Sequence, residues 1–295
     1  MEALIAWLAR AAIRALSLLP LAAQRGLGRT LGALARWTGR RSVRVTRRNI
    51  DLCFPELDAE ARRRLVRDSL SHTGQLLCEL GIVFHWPAER WQPLIRDVRG
   101  ADLMDDAVKR GRPVLLLVPH FGNWEFLSLY LGRYAVSALY DPPRVRALEP
   151  LILKARSRAG ARLLPIDAGG LRGFFQNLRD GGVAALLPDQ VPEREAGVRV
   201  PFFGQPALTM TFAHRVARRT GALLLLGSAR RVRGGFALRF QAMEQAVSDA
   251  DPQVSAAAMN RAIEALVRED PAQYQWEYKR FKRPPAGTPS PYGHL

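Results

Sequence analysis

A histidine and a glutamate five positions apart are the residues of this chain best suited to chemistry. The apolar run Val114–Val118 predicts a strand buried on both faces, and Pro119 ends it because proline cannot donate to a β-ladder. His120 therefore follows the carboxyl end of a strand, where open α/β sheets bind ligands, and Glu125 falls in the first turn of the next helix. Such a pair can act as a general base and the carboxylate that orients it.

The same spacing also has a purely structural explanation. Asn123 is a good helix N-cap, and the helix dipole by itself favours a glutamate in the first turn. A histidine at the end of a strand is often an ordinary polar residue. Spacing alone therefore leaves a catalytic and a structural interpretation open.

The amino-acid sequence of this stretch, His-Phe-Gly-Asn-Trp-Glu at residues 120–125, resembles a family signature. It is similar to the H-x4-E motif of the bacterial lipid A late acyltransferases (the lauroyl/myristoyl transferase family), which are related to the glycerolipid H-x4-D acyltransferases. Other stretches of the chain, before and after this motif, also resemble blocks of the family and occur in the family's order. They are Arg48–Leu57, an arginine shortly before Gly160, Asp189-Gln190, Val200–Ala207 and Tyr274–Lys282. The resemblance thus covers most of the chain, in several separated blocks.

The resemblance implies a reaction: transfer of a fatty acyl group from acyl carrier protein to a hydroxyl of a lipid A precursor. In that reaction His120 would be the general base, oriented by Glu125. Arg156, with Arg158 as the second match, would stabilise the oxyanion or hold an acceptor phosphate. Backbone N–H groups at Gly122–Asn123 would add to the oxyanion site. The expected reaction needs no metal and no redox cofactor.

A second predicted strand, Val183–Leu187, is also followed by polar residues. Asp189 and Gln190 come after a proline, which repeats the pattern around His120. Because the carboxyl ends of parallel strands meet at one edge of a sheet, these side chains are expected at the same rim. Asp189 has three open roles: it could orient a base, hold the acceptor sugar or cap a turn.

The arginines and two phenylalanines are weaker candidates for substrate binding. Arg156 and Arg158 fall in the last turn of a predicted helix, where compensation of the helix dipole alone explains basic residues. Phe202 and Phe203 are candidates for lining an acyl groove, although buried aromatic residues more often belong to the core.

Composition and missing motifs narrow the function classes. The 295 residues carry a formal net charge of +17, which indicates an anionic partner such as a phosphorylated substrate, an anionic membrane surface or nucleic acid.

Cys53 and Cys78, the two cysteines, predict neither a disulfide framework nor a zinc site. Gly26–Gly32 looks like a dinucleotide fingerprint, but its spacing is wrong and no strand precedes it. Serine-hydrolase, P-loop, zinc-protease and kinase motifs are absent.

Residues 1–48 form an apolar and basic segment. No apolar run there reaches the roughly 18–20 residues of a spanning helix, and the start does not read as a signal peptide. Six arginines recur at helical spacing, namely Arg10, Arg14, Arg25, Arg29, Arg36 and Arg40. The segment is predicted to be an amphipathic helix in the cytoplasmic leaflet, with packing on the domain or a ragged single span as alternatives.

The rest of the chain predicts an α/β fold with a layered, mostly parallel or mixed central sheet flanked by helices. The predicted strands are Val114–Val118, Ala135–Tyr140, Arg162–Pro165, Val183–Leu187, Ala222–Ser228 and Ala237–Ala242. Helices are predicted over Asp58–Gly81, Glu125–Gly132, Glu149–Ala159, Gly170–Arg179, Met210–Thr220 and Val254–Glu269. The acyltransferase domain is expected to span residues 49–285, and residues 286–295 are expected to be a loose tail.

The expectation is therefore an acyltransferase at the cytoplasmic face of a bacterial inner membrane. Its expected partners are acyl carrier protein, a lipid A precursor and inner-membrane lipids, and not nucleic acid. One alternative is the same chemistry on another glycolipid, a phospholipid or an aminolipid. The other is a non-catalytic, basic membrane-binding protein.

Overall fold

The computed structural model describes residues 1–143 and 145–293, in which helices and strands alternate from residue 95 onward. The strands are β1 (Ile95–Arg99), β2 (Val114–Leu117), β3 (Ser137–Tyr140), β4 (Arg162–Pro165), β5 (Val183–Leu186), β6 (Gly197–Phe202), β7 (Gln205–Met210), β8 (Leu223–Val232) and β9 (Gly235–Ala242). The helices are α1 (Glu2–Leu18), α2 (Leu21–Ala35), α3 (Arg41–Cys53), α4 (Ala59–His85), α5 (Ala88–Trp91), α6 (Ala101–Lys109), α7 (Trp124–Leu131), α8 (Glu149–Ser157), α9 (Ala168–Arg179), α10 (Phe212–Thr220) and α11 (Pro252–Glu269).

Seven strands form one sheet in the order β1-β9-β8-β2-β5-β3-β4. Neighbouring strands are parallel except β8 and β9, so the predicted α/β architecture with a mostly parallel sheet is confirmed. Successive residues of β2 contribute to two different hydrophobic clusters, one on each face of the sheet. Every residue of β2 is buried, as its uninterrupted apolar run predicts.

The strands that the sequence did not predict lie at the edge of the main sheet or outside it. β1 is an edge strand whose side chains are mostly exposed, so it has no apolar run to reveal it. β6 and β7 form an antiparallel hairpin outside the main sheet.

The register between β2 and β5 brings two polar residues together. Leu117 pairs with Leu186, and the parallel strands end at the same edge. His120 and Asp189 each lie three residues beyond those partners, so the backbone delivers them to neighbouring positions. This arrangement agrees with the prediction that the two strands supply polar groups to one rim.

The N-terminal segment, residues 1–48, forms α1, α2 and the start of α3 rather than one helix. Pro20 separates α1 from α2, and α2 packs closely on α4. A Cβ atom added to Gly28 would lie 2.5 Å from the Cα of Gln75, so glycine is required for this approach. The glycine run therefore serves helix packing. Arg25, expected among the exposed arginines, is instead buried in an ion pair with Glu79.

Large apolar side chains are exposed on these first two helices and just beyond them. They are Leu4, Ile5, Trp7, Leu8, Leu18, Leu27, Leu31, Leu34 and Trp37, here called the N-terminal apolar face. None of the helices within the described residues combines the length and the apolar character needed to cross a membrane.

The C-terminal residues return to the domain instead of forming a loose tail. The Tyr292 side chain is buried, and its hydroxyl donates to Asn49 Oδ1 at 2.7 Å. The same hydroxyl accepts the backbone N–H of Phe281 at 2.9 Å. Residues 286–293 thus include an anchor point that the Pro- and Gly-rich composition did not predict.

Candidate active site

His120 is held by Asp189 through two hydrogen bonds. The Asp189 carboxylate accepts the backbone N–H of His120 at 2.8 Å and contacts the ring Nδ1 at 2.8 Å. Burial opposes ionisation of Asp189, but the charge and hydrogen bonds of His120 outweigh it and hold the pKa of Asp189 below its usual range. An ionised Asp189 accepts a hydrogen bond from Nδ1–H, so the proton stays on Nδ1 and Nε2 keeps its lone pair for proton transfer.

Gln190 and Trp124 complete the immediate surroundings of the ring. The Gln190 side-chain amide nitrogen lies 3.2 Å from His120 Nε2, so it donates to the lone pair when Nδ1 carries the proton. The Trp124 ring meets the imidazole edge to face, with centroids 5.1 Å apart. A substrate hydroxyl must therefore displace the Gln190 amide to reach the base.

The interaction predicted between Glu125 and His120 is not the one that forms. Glu125 instead forms a bidentate ion pair with Arg156, in which Nη2 lies 2.5 Å from Oε1 and Nε lies 3.0 Å from Oε2. Burial lowers the pKa of Arg156, but the charge and the hydrogen bonds of Glu125 have the larger combined effect, so the pKa of Arg156 lies above its usual value. Asp189 occupies the position that the sequence assigned to Glu125, because β5 rather than the start of α7 lies next to the imidazole Nδ1.

The turn between β2 and α7 is fixed by backbone contacts, which corrects the predicted oxyanion site. The N–H of Gly122 donates to the Gln273 carbonyl at 2.9 Å, and the N–H of Asn123 donates to the Ala229 carbonyl at 2.8 Å. Both groups are thus already paired. Gly122 has φ +62°, and a Cβ there would collide with the Ala229 carbonyl oxygen, so this turn requires glycine.

Asn123 is structural, in contrast to the substrate-binding role expected for it. Its Oδ1 accepts the Phe126 N–H at 2.8 Å, the predicted N-cap, and its amide donates to Glu79 Oε2 at 2.8 Å. Glu79 is fully buried and also binds Arg25 and Arg231. This network ties α2, α4 and β8 to the turn that carries His120.

Three further predicted substrate-binding residues also have other partners. Arg158 donates to the carbonyls of Val83 at 2.8 Å and Ile82 at 3.2 Å, near the C-terminus of α4. Phe202 and Phe203 are buried in the hydrophobic core at the end of β6. Neither phenylalanine lines the main cavity.

A cavity of about 970 Å³ opens beside His120. Its polar lining includes His120, Trp124, Glu125, Arg156 and Gln190. Its apolar lining comes from both faces of the sheet: Leu131, Val136, Ala161 and Ala185 from one, and Leu139, Leu186, Phe175 and Phe212 from the other. Such a site suits an amphiphilic substrate with long apolar chains.

Leu131, Val136 and Ala161 are buried residues of the cavity lining. Val136 and Ala161 precede β3 and β4, so they lie toward the amino ends of these strands. The chain from Val136 to Tyr140 advances about 13 Å along the strand, at about 3.3 Å per residue. An extended chain placed there would have its reactive end near the rim that carries His120.

Sequence reasoning missed two arginines that line the same cavity, Arg215 and Arg219 of α10. The only available signal was their i, i+4 spacing on an amphipathic helix, which is common on exposed surfaces. Within the described residues, no three His, Cys, Asp or Glu side chains form a group that could hold a metal ion.

Several known proteins are similar to this chain over most of its length. Residues 1–283 match the family model described as bacterial lipid A biosynthesis acyltransferase. The chain is 30% identical over 270 residues to the lipid A biosynthesis palmitoleoyltransferase of Escherichia coli K12, covering 90% of this chain and 87% of the relative. It is 30% identical over 273 residues, with the same coverage, to the lauroyltransferase of that organism. The E. coli myristoyltransferase is 25% identical over 295 residues, covering 97% of this chain and 90% of the relative.

These matches extend over nearly the whole chain, and several of the blocks that suggested the family contribute residues to one cavity. His120, Asp189 and Gln190 meet at its rim, with Glu125 and Arg156 on its wall. The chain belongs to the bacterial lipid A biosynthesis acyltransferase family.

Proposed function

We propose that this acyltransferase moves a fatty acyl group from acyl carrier protein to a hydroxyl of a lipid A precursor, with His120 as general base. The observation that carries the proposal is the geometry of His120. Its Nδ1 is held by a buried carboxylate, while the ring lines a large, mainly apolar cavity. A base needs this combination of a fixed tautomer and access to an amphiphilic substrate.

In the proposed reaction the acceptor hydroxyl replaces the Gln190 amide at His120 Nε2 and transfers its proton there. The hydroxyl oxygen bonds to the thioester carbonyl carbon, which gives a tetrahedral oxyanion. Collapse of the oxyanion breaks the carbon–sulfur bond, and the leaving thiolate takes the proton back from the imidazolium. Asp189 stabilises the imidazolium while it exists. The products are an ester and free acyl carrier protein, and neither a metal nor a redox cofactor takes part.

Arg156 is the proposed stabiliser of the oxyanion. Its guanidinium lines the same cavity as His120 and is fixed by Glu125 and by the Trp124 ring, whose centroid lies 5.2 Å from it. A charge held in place before the reaction can stabilise a developing oxyanion without reorganising. Glu125 is thus proposed to be a positioning residue that acts through Arg156.

Acyl transfer by the purified protein tests this proposal. Incubation with acyl–acyl carrier protein and a lipid A precursor should yield, by mass spectrometry, a product heavier by one acyl chain. His120→Ala should abolish the product. His214→Ala, which alters a histidine that does not line the cavity, should retain it. Normal turnover by His120→Ala would remove this residue from the mechanism.

The main alternative is the same chemistry with another acceptor lipid. The family match favours lipid A, and a panel of glycolipid, phospholipid and aminolipid acceptors in the same assay separates the possibilities. A non-catalytic basic membrane protein would give no product and would be indifferent to His120→Ala.

The N-terminal apolar face is proposed to contact the cytoplasmic leaflet of the inner membrane. The exposed side chains of Trp7 and Leu31 belong to this face, and arginines of the same segment can meet lipid phosphates. Flotation with anionic phospholipid vesicles should recover the protein. Trp7→Asp with Leu31→Asp should reduce recovery, whereas Val254→Asp, at an exposed apolar residue of α11, should not. Equal recovery of all three proteins would contradict the proposal.

A further inference from the structure

The arginines that the sequence assigned to an acceptor phosphate are already bound within the protein. Arg156 is paired with Glu125, and Arg158 donates to two backbone carbonyls near the end of α4. A phosphate would have to compete with these contacts. Binding of a phosphate group therefore requires other cationic side chains that line the same cavity.

Arg215 and Arg219 meet this requirement. They lie one turn apart on α10, both are exposed, and both line the cavity that contains His120. Each guanidinium lies beside an aromatic ring: Arg215 is 5.9 Å from the Phe212 centroid, and Arg219 is 5.5 Å from that of Phe175. Within residues 1–143 and 145–293, no ion pair joins either arginine to a carboxylate.

A second depression continues from the cavity at this point. It has a volume of about 510 Å³ and is lined by Arg172, Arg179 and Arg219, and none of the described residues in its lining is acidic. Leu171 and Phe175 line both spaces, so the basic depression opens directly beside the apolar cavity. Arg179 is engaged by Gln176, whereas Arg172, like Arg219, makes no ion pair in the described part of the chain.

We propose that Arg172, Arg215 and Arg219 bind a phosphate group of the acceptor glycolipid. The inference rests on the proposed function and adds the acceptor's anchor point. The phosphate would lie where the basic depression meets the cavity, beside α9 and α10, with the acyl chains in the apolar part of the cavity. The sugar hydroxyl would then face the rim where His120 and Gln190 meet.

The shape of the site favours a lipid phosphate over the acidic surface of acyl carrier protein. Arg172 and Arg219 line a concave depression and Arg215 lines the adjoining apolar cavity, an arrangement that matches a compact anion attached to hydrocarbon chains. A protein partner needs a contact surface of about 800 Å². The charge of the lining also favours an anion, because among the described residues Asp141 is the one acid in the cavity lining besides Glu125, and no ion pair joins it to Arg215 or Arg219.

Steady-state kinetics with paired acceptors tests the proposal. The double variant Arg215→Ala/Arg219→Ala is compared with Arg218→Ala, which removes a neighbouring exposed arginine that lines neither space. With the phosphorylated precursor, the double variant should raise KM about tenfold or more at nearly unchanged kcat, because charge-assisted hydrogen bonds to the phosphate are lost. With a phosphatase-treated precursor, the wild-type protein and the double variant should have the same, raised KM.

Several results would overturn this assignment. A rise in KM for acyl–acyl carrier protein, with no change for the acceptor, would assign the arginines to the donor. An equal effect of Arg218→Ala would show a diffuse effect of surface charge, and unchanged kinetics would remove the site. All three outcomes require a wild-type protein that transfers acyl groups, so they differ from failure of the proposed function. Circular dichroism and thermal melting establish that the variants are folded.

Discussion

Replacing Asp189 by asparagine is the sharpest test of the proposed catalytic geometry. The carboxylate accepts two hydrogen bonds from His120, one from the backbone N–H and one from Nδ1–H, each at 2.8 Å. An amide has one acceptor oxygen and one donor NH₂ group, so it cannot accept both. If the NH₂ group faces Nδ1, the ring must carry its proton on Nε2 instead. The base is then in the wrong tautomer.

The expected loss can be estimated from this change of tautomer. A wrong tautomer and the lost stabilisation of the imidazolium together lower kcat about 10³- to 10⁴-fold, or about 4–5.5 kcal/mol of barrier. KM should change little, because buried Asp189 lies behind the ring and not in the lining of the main cavity. Single-turnover acyl transfer, with nitrogen NMR of the His120 ring to report its tautomer, measures both effects.

Glu125→Gln is the matched control, since it leaves the contact between Asp189 and His120 intact. It weakens the ion pair with Arg156, so kcat should fall less, about tenfold to a hundredfold, with the His120 tautomer unchanged. The reasoning fails if Glu125→Gln is as inactive as His120→Ala while Asp189→Asn remains within tenfold of wild type. That result would assign the orienting role to Glu125, as the sequence spacing suggested.

Two further predictions concern stability and chain length. Burial raises the pKa of Glu277 from 4.5 to about 7. Because this pKa is higher in the folded state, stability is lost as pH rises through 7, and Glu277→Gln should add about 3 kcal/mol at pH 8 but little at pH 4.5 in denaturant unfolding. Ala161 is a buried residue of the cavity lining just before β4, so Ala161→Leu should shift donor preference toward shorter acyl chains in competition assays; an unchanged preference would place the chain elsewhere.

Local sequence patterns were sufficient for the main elements around the site. The apolar runs of β2 and β5, each closed by polar residues, predicted where His120 and Asp189 leave the sheet. The Asn123 cap was also predicted, because its hydrogen bond reaches only three residues along the chain. The exposed edge strand β1 was missed, since it has little apolar pattern to detect.

The sequence by itself determined the family, the α/β class and the position of His120 at the end of a strand. Motif residues and hydrophobic periodicity are properties of short segments, so they can be read from the sequence. The tertiary structure alone decided which carboxylate meets His120. The order β2-β5 puts Asp189, 69 residues away along the chain, against the ring, while Glu125 pairs with Arg156. Strand order and side-chain direction arise from packing between distant segments, and no short segment contains that information.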